Sequence, residues 1–233
     1  MEAYLNTTKS LDTLIVGAGF AGMYSLHKQL SDGFKAEIYE QADDVGGTWY
    51  WNRYPGARCD IESMDYSYSF SEELQQEWNW KEKYGTQPEL LKNHKYVFKK
   101  FKLINNINFN TKITKANFNE KYQNWFIKTD KDEVITSKNL ILATGNLSTP
   151  NTPHFPGINE FKGNIYHTGA WPKEMPNFKG KRVGIIGTGS SGVQSIPIIS
   201  ETAQQLLVFQ RTPNFSLPAR HRDLPDDRRD EYK

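Results

Sequence analysis

The 233-residue sequence has a single cysteine, Cys59, so no disulfide can form within the chain. Its five histidines are scattered, and none stands at metal-ligand spacing from other donors, which removes a structural zinc site. No apolar run approaches the ~20 residues a membrane helix needs. The opening residues, Met1-Glu2-Ala3-Tyr4-Leu5, lack the basic-then-apolar order of a signal peptide. Excess charge of one sign is missing too. The 29 Lys and Arg against 27 Asp and Glu leave a formal charge of +2, which gives no electrostatic reason to expect nucleic acid or a membrane as partner. There is no Gly-x-Ser-x-Gly elbow and no ordered Ser/His/Asp set, so hydrolase chemistry has no support. What remains is a globular composition, 37% hydrophobic and 13% aromatic, for which a reducing cytoplasm is the expected compartment.

The glycines are grouped. Asp12-Thr-Leu-Ile-Val16 reads as a strand that stops at Gly17-Ala18-Gly19-Phe20-Ala21-Gly22; Met23, Leu26 and Leu30 follow at helical spacing. Ser31-Asp32-Gly33 ends that segment, and Ala36 to Glu40 reads as the next strand. The order strand, glycine turn, helix, strand is a βαβ unit that starts a parallel sheet. It recurs at Arg182–Ile186, Gly187-Thr188-Gly189-Ser190-Ser191-Gly192, a helix with Val193, Ile196 and Ile199, and Leu206–Phe209. Between the copies, residues 43–70 read as a long ordered loop, and Gln87-Pro88-Glu89 opens a helix. Alternation from Ile107 to Ile135 predicts an antiparallel meander, and Leu140 to Gly145 a buried strand ending in a turn. The fold expected is α/β, with two Rossmann-like dinucleotide-binding units, the first carrying the meander as an insertion.

Each turn has the shape a dinucleotide needs. The first glycine makes the tight turn, the second lets backbone approach a pyrophosphate, and the third lets helix pack on strand. The helix N-terminus then presents N–H groups to the phosphates. The end of the following strand distinguishes the copies. Glu40, 23 residues past Gly17, suits the ribose hydroxyls of FAD or NAD and repels a 2′-phosphate. Arg211, 24 residues past Gly187, attracts the 2′-phosphate of NADP. FAD at the first turn and NADPH at the second follow.

The loop between the copies carries a family resemblance. Gly46-Gly47-Thr48-Trp49 with Arg53-Tyr54-Pro55-Gly56-Ala57-Arg58-Cys59-Asp60 resembles the flavin loop of the class B flavoprotein monooxygenases, above all the Baeyer–Villiger monooxygenases of the cyclohexanone monooxygenase type. Phe161-x-Gly163-x-x-x-His167-x-x-x-Trp171 is similar to that family's fingerprint. The resemblance implies that NADPH reduces FAD, that one oxygen atom of O2 is then inserted beside a ketone carbonyl to give an ester or lactone while the other leaves as water, and that amines or sulfides are the alternative substrates. It implies Gly17, Gly19, Phe20 and Gly22 at the flavin pyrophosphate and Glu40 with Gln41 at its ribose. It places Gly47, Thr48, Trp49, Arg58, Asp60, Ile61 and Tyr66 around the flavin, and the Ile113 backbone near the adenine. Gly187, Thr188, Gly189, Ser190, Ser191, Gly192 and Gln194 would line the NADPH phosphates, with Arg211 and Thr212 on the 2′-phosphate.

Asp60 is the catalytic candidate by the same resemblance, since a carboxylate there would orient the family's catalytic arginine; on its surroundings alone it reads equally as a turn carboxylate. Trp49 and Trp171 fit simple core packing as well as the motif. His167 is expected to be a hinge or positioning residue, and Cys59 a passenger of the loop. The expected division is an FAD-binding part at 1–148, a linker at 149–180, an NADPH-binding part at 181–218 and a charged tail at 219–233. The family's arginine and the remainder of both domains have no counterpart in this sequence. Both units are thus expected to be incomplete, with a missing C-terminal half as a candidate partner; the alternative to a working monooxygenase is a truncated, non-catalytic dinucleotide-binding remnant or half of a split enzyme.

Overall fold

The computed structural model describes residues 7–147, 149–226 and 230. In chain order its elements are β1 (Lys9–Val16), α1 (Phe20–Ser31), β2 (Ala36–Tyr39), α2 (Thr48–Trp51), α3 (Glu72–Glu77), α4 (Gln87–Lys100), β3 (Ile107–Asn108), β4 (Ile113–Asn119), β5 (Asn124–Thr129), β6 (Val134–Leu142), β7 (Arg182–Ile186), α5 (Ser190–Ser200) and β8 (Gln205–Phe209). None of the described helices is long and apolar enough to cross a membrane. Contacts divide the chain into two compact units, one of residues 1–50 and 94–148 and one of residues 51–93 and 149–233.

The first unit is built on a six-stranded sheet in the order β3-β2-β1-β6-β5-β4. β1 lies between two parallel neighbours, β2 and β6, and its Leu11, Leu14 and Ile15 are buried, as a strand covered on both faces requires. α1 follows β1 directly and buries Met23 and Leu26, which stand three residues apart on one helical face. Each of those fully buried side chains contributes roughly 1.5–3 kcal/mol. β5 then runs antiparallel to both β6 and β4, forming the meander.

Two strand boundaries differ from the sequence reading. Ile107–Asn108 is the parallel edge strand beside β2, not the first arm of the meander. Val134 to Leu142 is one strand, not two: its first residues pair antiparallel with β5 while its length pairs parallel with β1. Alternation of period two cannot separate parallel from antiparallel neighbours. The polar Lys138 and Asn139 disguised the continuity; both bond to Asp12. Leu142, expected to be buried, is exposed.

In the second unit β7 and β8 pair in parallel, with Ile186 opposite Phe209, and α5 connects them and buries Ser195 and Ile199. The stretch read as loop at residues 43–70 holds α2 and a 3-10 turn at Ser63–Tyr66. α3 was not foreseen, although Ser71 caps it by accepting the Leu74 N–H and Glu72 and Glu73 fill its first turn, a recognisable start signal. The charged stretch after Ala219 is not loose throughout. Lys83 N–H donates to the Arg222 carbonyl, Leu224 N–H donates to that of Lys81, and Leu224 is buried.

Two glycines with positive φ or close neighbours give a direct test of the first turn. A Cβ at Gly22 would stand 1.9 Å from the Gly17 carbonyl oxygen, whereas one at Gly33, with φ +83°, would meet nothing within 4 Å. Gly22→Ala is expected to destabilise the chain by on the order of 3 kcal/mol, and Gly33→Ala by about 1 kcal/mol. Urea unfolding measures both, and equal losses would contradict the close approach.

Candidate dinucleotide sites

The first glycine turn is organised around the backbone of one residue. Ala18 is fully buried, and its N–H donates to Glu40 Oε2 at 2.7 Å. Glu40 Oε1 accepts the Ala42 N–H at 2.8 Å. Each oxygen of this buried carboxylate keeps a lone pair for a further donor. The Ala18 carbonyl accepts the Gly46 N–H at 3.1 Å and lies 3.2 Å from His94 Nε2. Because a carbonyl only accepts, His94 must carry its proton on Nε2. Its Nδ1 is buried without a partner.

The surrounding glycines are required by close packing of backbone on backbone. Gly17 has φ +102°, and a Cβ there would sit 2.6 Å from the Ala143 carbonyl oxygen. Gly47 has φ +53° and would place a Cβ 2.8 Å from Gly19 Cα, so the loop after β2 lies directly on the turn. Gly19 is the N-cap of α1 and has no side chain to occupy the leading N–H groups. Phe20, at the start of that helix, lays its ring against His94 at 4.7 Å. Gln41 is exposed beside Glu40, Thr48 opens α2, and Trp49 is buried. Ile113 begins β4, opposite Thr129. The structure thus gathers Gly17, Gly19, Gly22, Glu40 and Gly47 at one turn.

The second turn repeats the backbone with fewer anchors. Gly187 has φ +101°, and a Cβ at Gly192 would stand 2.4 Å from its carbonyl oxygen, the same closure seen between Gly17 and Gly22. Gly189 caps α5, and Ser190 and Ser191 are its first residues. Two residues missed by the sequence reading secure Thr188. Gln210 Nε2 donates to its hydroxyl at 2.7 Å, and Asn214 Nδ2 donates to its carbonyl at 2.7 Å. Only their place just after β8 could have drawn attention to them. Arg211 and Thr212 are exposed at that same strand end.

The residues expected around a flavin from the Arg58 loop fall in the second unit. Asp60 and Ile61 are exposed. Tyr66 has its phenol pushed up to about 12, by burial first and then by the charges of Cys59 and Asp60. Cys59 is buried and its thiol is pushed up by burial, the opposite of an activated nucleophile. Arg58 Nη1 lies 2.8 Å from His221 Nε2 and 3.6 Å from Glu82 Oε2. Gln194, expected at the phosphates, has its amide engaged by Tyr54 and Arg58. His167 Nδ1 accepts the Gly169 N–H and caps a 3-10 turn, and Trp171 is buried beside Tyr166.

Residues 11–222 match the family model described as flavin-binding monooxygenase-like. The Baeyer–Villiger monooxygenase of Pseudooceanicola batsensis is 47% identical over 208 residues, which cover 89% of this chain and 38% of that protein. The phenazine N-monooxygenase of Lysobacter antibioticus is 43% identical over 229 residues, covering 98% and 42%. A solved structure described as an oxidized steroid monooxygenase bound to NADP superimposes with a TM-score of 0.91 at 53% identity, over 95% of this chain and 42% of its own. The chain therefore spans about two fifths of the length of the curated relatives it matches.

His94 makes the first turn sensitive to acid. Complete burial lowers its pKa from 6.5 to about 4, against the opposing pull of the Ala18 carbonyl and the Asp44 charge. Between those values the unfolded chain binds a proton that the folded chain refuses. Stability is therefore complete above pH 6.5 and is lost as the pH falls toward 4, by on the order of 3 kcal/mol from this group. Gln at this position keeps a donor and cannot titrate. Urea unfolding at pH 7 and pH 5 should show a smaller loss for His94→Gln than for the wild type, and equal losses would contradict the assignment.

Proposed function

Because the chain belongs to the flavin-binding monooxygenase-like family, we propose that its first glycine turn holds FAD and its second NADPH. On this reading it supplies both sites to a monooxygenase of Baeyer–Villiger type, in which a ketone, O2 and NADPH give an ester or lactone, water and NADP+. The observation that carries this is the contrast between two like turns. One ends in a buried carboxylate, Glu40, and the other in an exposed guanidinium, Arg211.

The residues fit both groups. Closure of Gly22 on Gly17, and of Gly192 on Gly187, leaves no room for a Cβ and opens the helix N-terminus to a pyrophosphate. Glu40 accepts ribose hydroxyls on the lone pairs left by its two backbone bonds, and a 2′-phosphate is repelled there. At the second turn Arg211 supplies a fork of donors for a 2′-phosphate, while Gln210 and Asn214 hold Thr188 in place. Held at the first turn, FAD would supply the acceptor for the NADPH hydride and the means to transfer one oxygen atom of O2 to the substrate, the other leaving as water. Asp60, exposed on its loop, would orient a cation in that chemistry. The lone free cysteine and the demand for NADPH support a cytoplasmic setting.

N-oxygenation of an amine is the second reading, supported by the identity to the phenazine N-monooxygenase. The tryptophan that closes the Phe161–Trp171 fingerprint favours the ketone, and product analysis with ketones, amines and sulfides distinguishes the two.

The cofactor assignment is tested on the purified chain charged with FAD. Anaerobic NADPH should bleach the visible flavin band. Arg211→Ala should weaken NADPH by about tenfold and leave NADH unchanged, as expected for one charge-assisted contact. A chain that retains no flavin, or an Arg211→Ala variant with unchanged NADPH affinity, would refute the assignment.

A further inference from the structure

The geometry points to a different task for Gln194 than phosphate contact: we infer that it is the positioning residue that clamps the Tyr54–Asp60 loop onto α5. Its amide pairs with the backbone N–H and carbonyl of a single residue, as one strand pairs with another. Gln194 Nε2 donates to the Arg58 carbonyl at 3.1 Å, and Gln194 Oε1 accepts the Arg58 N–H at 3.3 Å. The same oxygen accepts the Tyr54 hydroxyl at 2.9 Å. Both lone pairs of Oε1 are thereby used, and a single N–H remains for any other partner.

The backbone bears the same imprint. Gly56 has φ +76°, and a Cβ there would stand 2.2 Å from the Gln194 carbonyl oxygen and 3.0 Å from Ile198 Cγ1. The loop thus lies against α5 over one turn, between positions 194 and 198, and only glycine fits at the contact. On its other side the loop is held by the 85–87 segment: Gln87 N–H donates to the Ala57 carbonyl at 2.8 Å, and Cys59 N–H to that of Gly85 at 3.0 Å. Between these anchors lies Arg58, whose backbone N–H and C=O are both taken by a side chain of α5. Asp60 follows two residues later, and its carboxylate is exposed. The helix that opens at the second glycine turn therefore sets where the Asp60 loop begins. That this loop serves a flavin rests on the function proposed above; the clamp itself does not.

Hydrogen exchange on the full chain tests the clamp. Gln194→Leu keeps the side-chain size and removes all three bonds. It should speed exchange of the Arg58 amide by about tenfold or more, since local opening governs protection. Exchange at Cys59, anchored to Gly85, should change less. Gln194→Glu, which keeps the acceptor and loses the donor, should fall between. NADPH affinity should move by less than about threefold. Unchanged exchange at Arg58 would overturn the inference, as would a tenfold loss of NADPH affinity with the loop still protected. If Gln194→Leu does not fold, Tyr54→Phe, which removes only one hydroxyl, decides by the same measurement: faster exchange at Arg58 supports the clamp and unchanged exchange overturns it. Should the loop loosen in a chain that binds no FAD, the clamp stands and the flavin reading is what has failed.

Discussion

The backbone N–H and carbonyl of Ala18 are both bonded in the interior of the first unit, and the rest of that unit is arranged around those bonds. Its N–H is fixed by a carboxylate from the end of β2, and its carbonyl by the Gly46 N–H and a histidine from α4. Three separate parts of the chain thus converge on one residue between β1 and α1. Losing a partner there leaves a buried polar group unsatisfied, which costs about 1–3 kcal/mol. The arrangement also explains the cost accepted at His94. Its Nδ1 is left without a partner so that Nε2 can reach the carbonyl, with Phe20 and Phe98 covering the ring.

The second turn has the same backbone closure but a different setting. Its anchors, Gln210 and Asn214, are exposed side chains acting on Thr188, where the first turn uses a buried carboxylate and a buried ring. On the proposed reading this difference has a use. A flavin that stays bound through many turnovers suits a fixed, buried turn. A nicotinamide cofactor that is exchanged once per turnover suits one held at the surface.

Much of this was legible because each feature depends on neighbours in sequence. The glycine spacing, Glu40 and Arg211 all belong to local βαβ units, and helix α4 announced itself through Gln87-Pro88-Glu89. What could not be read depends on distant partners. Nothing local distinguishes β3 as a parallel edge strand, because its identity is set by pairing with Ile38 and Tyr39. Ordinary helix residues by sequence, His94 and Gln194 acquire their roles from Ala18 and Arg58, which lie 76 and 136 residues away. The Arg58–Glu82–His221 cluster has the same character.

The most direct test of the central claim is to follow backbone amide signals of the isotopically labelled chain by NMR during titration with FAD alone. If the turn built on Ala18 is the flavin dinucleotide site, the largest saturable shifts fall on Gly17 to Gly22 and on the Glu40–Gly47 segment, and Gly187 to Gly192 respond little. Shifts concentrated on the second turn, or no saturable response at the first, would contradict the account.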